Sequence, residues 1–252
     1  SNVSIFLPSV ASPAVRTTRT MSPAIATKLF CVAGKNVLVT GGSRGIGRMI
    51  AKGFSEAGAN VLLTSRSEAA CAEAAEACKA QFVVSNVGNR EGCEELAAKV
   101  GEIFQGRLDI LVNNAGTSWG EPLERESTTN WGFDKVLDLN VKGVFYLIRA
   151  CLPYMQREMP NDDPARIINI GSVAGIVPQD VPTHAYDISK AAVHQLTRKL
   201  AAEFASKGIT VNCVAPGYVP SRMSAGLASW GADPEKLSQD IPLQRMGNEN
   251  DM

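Results

Sequence analysis

The chain lacks most of what would mark a metal centre, a membrane anchor or a nucleic-acid surface. It has two histidines, His184 and His194, and six cysteines without a CxxC pair. Metal sites gather such ligands at close spacing, so no metal is expected. Cys31, Cys71, Cys78, Cys93, Cys151 and Cys213 read instead as small buried or half-buried apolar residues of a reducing compartment. No apolar run approaches the ~18–20 residues of a bilayer span, so no membrane partner is expected. The 25 basic and 25 acidic residues cancel, and no basic run suits nucleic acid. Acids are missing from the first 55 residues, which hold seven Lys or Arg. Residues 1–33 are also rich in Ser, Thr, Ala and Pro. That composition suits either a plastid or mitochondrial targeting segment or a loose tail on a cytoplasmic protein.

From Asn36 onward short apolar runs alternate with amphipathic stretches. Strands are expected over 36–40, 60–64, 81–85, 108–112, 166–170 and 209–214, each fit to be buried on both faces. Helices are expected near 45–57, 67–79, 90–104, 128–158 and 185–206. The alternation predicts an α/β Rossmann-like, doubly wound parallel sheet in three layers, one domain over 34–252.

The first strand runs directly into Thr40-Gly41-Gly42-Ser43-Arg44-Gly45-Ile46-Gly47 and a helix. Gly41 can turn the chain, Gly45 admits a pyrophosphate to backbone amides, and Gly47 lets the helix approach the sheet. Phosphates then meet the positive helix N-terminus. An NAD site usually offers a carboxylate at the end of the second strand. This chain has Ser65-Arg66-Ser67 there. Arg66 and Arg44 suit a 2′-phosphate, so the cofactor expected is NADP(H).

Tyr186 and Lys190, four apart, share one face of a helix. Ser172 follows the strand 166–170, at the end where open α/β sheets bind ligands. A phenol can protonate a developing alkoxide, but its unperturbed pKa is ~10. A neighbouring ammonium stabilises phenolate, so Lys190 is expected to bring Tyr186 toward working pH. A displacement of ~3 units corresponds to ~4 kcal/mol, expected from the close ammonium together with an oxidised nicotinamide.

The ordered set TGGSRGIG (40–47), NNAG (113–116), Asn140, Ser172, YDISK (186–190) and Pro216-Gly217 resembles the short-chain dehydrogenase/reductase family. Within it, RIINIGSVAGI (166–176), KAAVHQL (190–196) and PSRM (220–223) resemble 3-oxoacyl-[acyl-carrier-protein] reductases, with the rhamnolipid-synthesis branch nearest. The resemblance implies a site of Asn140, Ser172, Tyr186 and Lys190, with Asn140 holding a relay water and Lys190 the nicotinamide ribose. It implies cofactor contacts from Gly41, Ser43, Arg44, Gly45, Ile46, Gly47, Ser65, Arg66, Asn86, Val87, Asn114, Ala115, Gly116, Tyr186, Lys190, Pro216, Gly217, Val219 and Ser221. Asn86 stands where many members have Asp.

The expected reaction is NADPH-dependent reduction of a ketone, foremost a 3-oxoacyl thioester. A dehydrogenase of secondary alcohols, polyols or small ketones, and a non-catalytic NADP-binding protein, remain alternatives. The resemblance makes 217–240 a loop closing over the substrate, with Trp119, Met223, Leu227 and Trp230 as candidate acyl contacts. An acyl carrier protein would want basic residues at the entrance. Lys207 falls on one docking position of relatives. The other falls in the acidic Asn161-Asp162-Asp163, with Arg157 and Arg166 nearby as substitutes. A homotetramer through helices 128–158 and 185–206 is implied. So are a further helix and a seventh strand beyond Met252, which makes the chain read as a C-terminally incomplete domain, unstable or inactive by itself with the sheet edge uncovered.

Overall fold

The computed structural model describes residues 30–124, 131–227, 238–239 and 241–251. Most of the expected N-terminal tail, and Trp230, lie outside the described residues. Six strands form one parallel sheet: β1 (Asn36–Thr40), β2 (Asn60–Ser65), β3 (Gln81–Val84), β4 (Ile110–Asn113), β5 (Ala165–Ile170) and β6 (Ile209–Val214). Their order is β3-β2-β1-β4-β5-β6. The order reverses between β1 and β4, which opens a crevice at the C-terminal strand ends where dinucleotides lie in such folds.

The helices between the strands are α1 (Gly45–Glu56), α2 (Glu68–Cys78), α3 (Arg90–Ile103), α4 (Trp131–Leu137), α5 (Val144–Met155), α6 (His184–Phe204) and the short α7 (Arg222–Leu227). Alternate strand residues serve opposite faces. Leu38, Leu62, Leu111 and Ile167 pack with Leu96, Val100, Leu147, Ile148, Leu200 and Phe204 of α3, α5 and α6. Val37, Val39, Val61, Leu63, Ile110 and Val112 pack with Ala51, Cys71, Ala74 and Cys78 of α1 and α2. Burial of a single such aliphatic side chain contributes about 1.5–3 kcal/mol, which locates the stability in these two layers.

Three expectations need correction. β3 and β6 are edge strands rather than strands buried on both faces: Gln81, Phe82 and Val84, and Thr210, Asn212 and Val214, are exposed. β4 begins two residues later than expected, although the Asp109 main chain still bonds Asn36 on one side and Arg166 on the other. The Asp109 carboxylate accepts from the Asn36 amide and pairs with Arg107 and Arg157. The stretch expected as one helix over 128–158 is broken by a π-helical turn, Asp138–Gly143, between α4 and α5. There the main chain presses on β3's exit: a Cβ on Gly143 would stand 2.1 Å from the Val87 carbonyl. Cys71, Cys78, Cys93 and Cys151 are buried and Cys213 half-buried, but Cys31 is exposed, and all six are free thiols.

Candidate active site

The turn after β1 is held from across the switch point. Asn114 Nδ2 donates to the Thr40 carbonyl at 2.8 Å and to that of Gly41 at 3.3 Å. The Asn114 and Ala115 amides both donate to Thr40 Oγ1 at 3.0 Å. The glycines are demanded by this clamp. Gly41 has φ +64° and Gly45 φ +53°, in the region that favours glycine. Gly42, passed over in the sequence reading, lies on β2, where a Cβ would meet Leu63 Cβ at 2.7 Å.

α1 then starts without a side-chain cap and without an acid in its first turn. The two helices that follow differ. Ser67 Oγ accepts from the Ala70 amide at α2, and Asn89 Oδ1 from the Gly92 amide at α3. The first amides of a helix need partners, and at α1 no side chain caps them. Beside the turn, Arg66, Asn86, Gly88, Thr117 and Asp138 line a cleft of about 410 Å³.

At the other side of the switch point, α6 carries Tyr186 and Lys190 toward the turn after β5. Ser172 lies beside the Tyr186 phenol, and its Oγ caps the following turn by accepting from the Ala174 amide at 3.1 Å. Burial pushes that phenol above its ordinary range; Asp187 adds to the rise and the Ser172 hydroxyl opposes it. Lys190 is almost fully buried, its Nζ donating to the Ile170 carbonyl at 2.7 Å and lying 5.5 Å from the centre of the Tyr186 ring. Burial pulls the ammonium down to about 8, with Cys213 opposing. The expectation that Lys190, with an oxidised nicotinamide, brings Tyr186 toward working pH is not met by the chain alone, where the phenol is shifted upward. Desolvation, which penalises the charged form of both groups, is the largest cause of each shift.

Asn140 sits in the π turn, wholly buried. It accepts from the Thr117 amide and donates to the Thr117 carbonyl and to Ser189 Oγ, each at 2.9 Å. Ser189 Oγ in turn donates to the Tyr186 carbonyl at 2.7 Å. A Cβ on Gly116 would be 3.3 Å from Asn140 Oδ1 and 3.8 Å from Lys190 Nζ, so NNAG, Asn140 and Lys190 converge. Beneath them a buried polar line runs from Asn113 Nδ2 to Asn169 Oδ1 and from Asn169 Nδ2 to Thr197 Oγ1, both at 2.9 Å.

The short chain dehydrogenase profile matches residues 35–232, most of the chain and all six strands. The chain belongs to the short-chain dehydrogenase family. It is 46% identical over 230 residues to the rhamnolipids biosynthesis 3-oxoacyl-[acyl-carrier-protein] reductase of Pseudomonas aeruginosa, covering 88% of each chain. It is 40% identical over 223 residues to the Staphylococcus aureus 3-oxoacyl-[acyl-carrier-protein] reductase FabG, covering 86% of this chain and 87% of the other. Its fold superimposes on the Pseudomonas aeruginosa RhlG/NADP active-site complex with TM-score 0.81 at 46% identity, over 88% of this chain and 87% of that one. A structure described as a putative NAD(P) dependent gluconate 5-dehydrogenase from Beutenbergia cavernae gives 0.77 at 32% identity, over 88% and 87%.

The remaining expected residues of this short-chain dehydrogenase fall into two groups. Arg66 and Asn86 line the cleft, while Arg44 is exposed and Gly45 and Ile46 half-buried at the start of α1. Ser43 and Val87 are buried, Val87 within the core. Ser65 Oγ contacts Cys71 Sγ at 3.0 Å. Ser221 Oγ caps α7 by accepting from the Ser224 amide at 3.1 Å, and Ser221 Cβ lies 3.6 Å from where Gly45 would carry a Cβ. The Pro216 carbonyl accepts from the Val173 amide, and that of Val219 from Ser224 Oγ; a Cβ on Gly217 would meet open space.

Of the acyl candidates, Met223 is exposed on α7 and Trp119 lies against Gly132 of α4. The side chain of Leu227 lies outside what is described. The basic residues considered for carrier docking are misplaced within one chain. Arg157 is engaged with Asp109 and the Leu108 carbonyl, and Arg166 with Asp163. Lys207 precedes β6. All three stand at the N-terminal ends of strands, some six residues or ~20 Å along β5 from Ser172.

The sequence reading missed His194, Ser189 and Thr117 as parts of the site. His194 had a visible signal, four residues beyond Lys190 on the same helix face.

Proposed function

We propose that this short-chain dehydrogenase reduces the ketone of a 3-oxoacyl thioester to the 3-hydroxy product with NADPH. The observation that carries the reading is the meeting of Tyr186, Ser172 and Lys190 at the switch point, across from the uncapped start of α1. The residues present fit the cofactor. α1 starts with no side-chain cap on its first amides, and Arg44 and Arg66 are exposed where a 2′-phosphate would lie. Bound there, NADPH supplies the hydride.

The chain's own residues manage the proton. Burial keeps the Tyr186 phenol protonated through the neutral range, the state from which it donates to a developing alkoxide. The Ser172 hydroxyl, beside that phenol, orients the carbonyl oxygen. Lys190, still largely cationic at neutral pH, stabilises the phenolate left behind. Asn140 keeps Ser189 and the α6 start in register. The acyl thioester is favoured by the two curated relatives, both named 3-oxoacyl-[acyl-carrier-protein] reductases. A homo-oligomer through α5 and α6 is part of the proposal, supported by exposed Phe145 and Ile188 on those helices.

The test is NADPH oxidation with acetoacetyl-CoA and with an acyl-carrier-linked 3-oxoacyl substrate. Turnover of either, reduced by about 10²–10⁴ in Tyr186→Phe, is the expected result. The Beutenbergia cavernae neighbour favours a second reading, oxidation of a polyol or sugar acid. Turnover of gluconate but neither thioester would select it. Tight NADPH binding with no turnover of any of them would select a non-catalytic binding protein.

A further inference from the structure

We infer that His194 is a positioning residue whose imidazole grips both ends of the Ser172 turn and sets the serine hydroxyl for the substrate carbonyl. The inference rests on the proposed role of Ser172. On α6, Tyr186, Lys190 and His194 follow one another at four-residue steps and share a face. Tyr186 and Lys190 reach the reaction centre, and His194, one turn on, is buried behind the short 3₁₀ turn Val173–Gly175.

Two glycines make room for the ring. A Cβ on Gly171 would stand 2.1 Å from His194 Nε2, and one on Gly175 would stand 3.0 Å from Cε1. The Ser172 amide donates to Nε2 at 3.4 Å. The Gly175 backbone flanks the imidazole at the far end of the turn, close enough to act on its titration as a hydrogen-bond partner. The turn is further stapled to the end of β6, with the Gly171 amide on the Val214 carbonyl and the Val173 amide on that of Pro216.

This double grip requires one protonation state. Nε2 must accept from an amide while the other nitrogen donates to a carbonyl, so the ring is neutral and protonated at Nδ1. The surroundings enforce neutrality. Burial lowers the imidazole from its ordinary range, the Lys190 and Arg198 cations on α6 lower it further, and the Gly175 bond opposes them. From β6 it is faced by Cys213, whose thiol burial pushes up and so keeps uncharged. In acid, a proton on Nε2 would point at the Ser172 N–H, donor against donor, and displace the turn.

With two histidines in the chain, long-range proton–nitrogen NMR reads this directly, His184→Gln assigning the signals. The expected result is the Nδ1–H tautomer at His194 and a titration midpoint below the ordinary histidine range. In NADPH and acetoacetyl-CoA kinetics, His194→Leu should lower kcat roughly tenfold to hundredfold with NADPH affinity unchanged. His194→Gln, whose amide can accept from Ser172 and donate to Gly175, should keep kcat within a few-fold and lose the acid limb of the wild-type pH profile. An Nε2–H tautomer in the folded protein, or an acid limb in His194→Gln identical to that of wild type, overturns the inference, and both decide it even if His194→Leu does not fold. Ser172→Ala separates the layers. Full activity in that variant removes the role proposed for Ser172 while the tautomer result stands on its own.

Discussion

Gly47 and Asn114 leave no room between them: a Cβ on residue 47 would stand 2.4 Å from the Asn114 Nδ2 that donates to the Thr40 carbonyl, and 2.3 Å from the Gly41 oxygen. The third glycine of the turn is therefore required by the protein's own clamp as well as by helix–sheet approach. Gly47→Ala should cost about 1–3 kcal/mol by overpacking. Denaturant unfolding without cofactor measures this, and wild-type stability in the variant would show that the clamp yields freely.

Arg66 borders the cleft from the end of β2 with its guanidinium exposed. A charge-assisted bond of about 1.5–3 kcal/mol to a 2′-phosphate translates to roughly 10–100-fold in affinity. Arg66→Ala should lose that much NADPH affinity and leave NADH affinity as it was. Equal losses for both cofactors in fluorescence titration would remove Arg66 from 2′-phosphate recognition.

Lys190 gives a pH signature of stability. Its folded pKa, near 8, lies below the unfolded value of 10.5. Between those two values the unfolded chain holds a proton that the folded one does not, so this residue makes stability rise with pH across about 8 to 10.5 and weakens the fold below about 8. The span is at most on the order of 3 kcal/mol. Urea unfolding of wild type and Lys190→Met at pH 7.5 and 10 should show the difference between them moving in favour of wild type as pH rises. A difference independent of pH would mean the ammonium is not depressed.

Asp109 governs stability at the end of the sheet remote from the site. Burial pushes its carboxyl up, but the Asn36 amide and the Arg107 and Arg157 guanidiniums outweigh this and hold it below the ordinary carboxylate range. Its contribution is present above the unfolded carboxylate pKa and is lost as pH falls through the lower folded one. Asp109→Ala strands the largely buried Arg157 and should cost about 3–5 kcal/mol. The folded fraction should keep its kcat. A fall in kcat with full secondary structure would link this edge to the reaction centre.

Much of the site was legible because its chemistry depends on local spacing. Tyr186 and Lys190 share a face by helix geometry alone, and the glycine turn announces itself by its place after an apolar strand. The partners that set the site's state were not legible. Asn113 meets Asn169 and Asn169 meets Thr197 across 56 and 28 residues. The π turn that seats Asn140 looks, in one dimension, like continuous helix.

The sequence by itself determined the strand–helix alternation, the glycine-rich turn, the Tyr–Lys pair and the family, because each follows from local periodicity or the order of short motifs. Only the tertiary structure decided the direction in which Tyr186 and Lys190 are shifted. It also decided the engagement of Arg157 and Arg166 far from the site, and the grip of His194 on the Ser172 turn. Desolvation, ion pairing and vacated volume are properties of what surrounds a group, and here the surroundings come from distant parts of the chain.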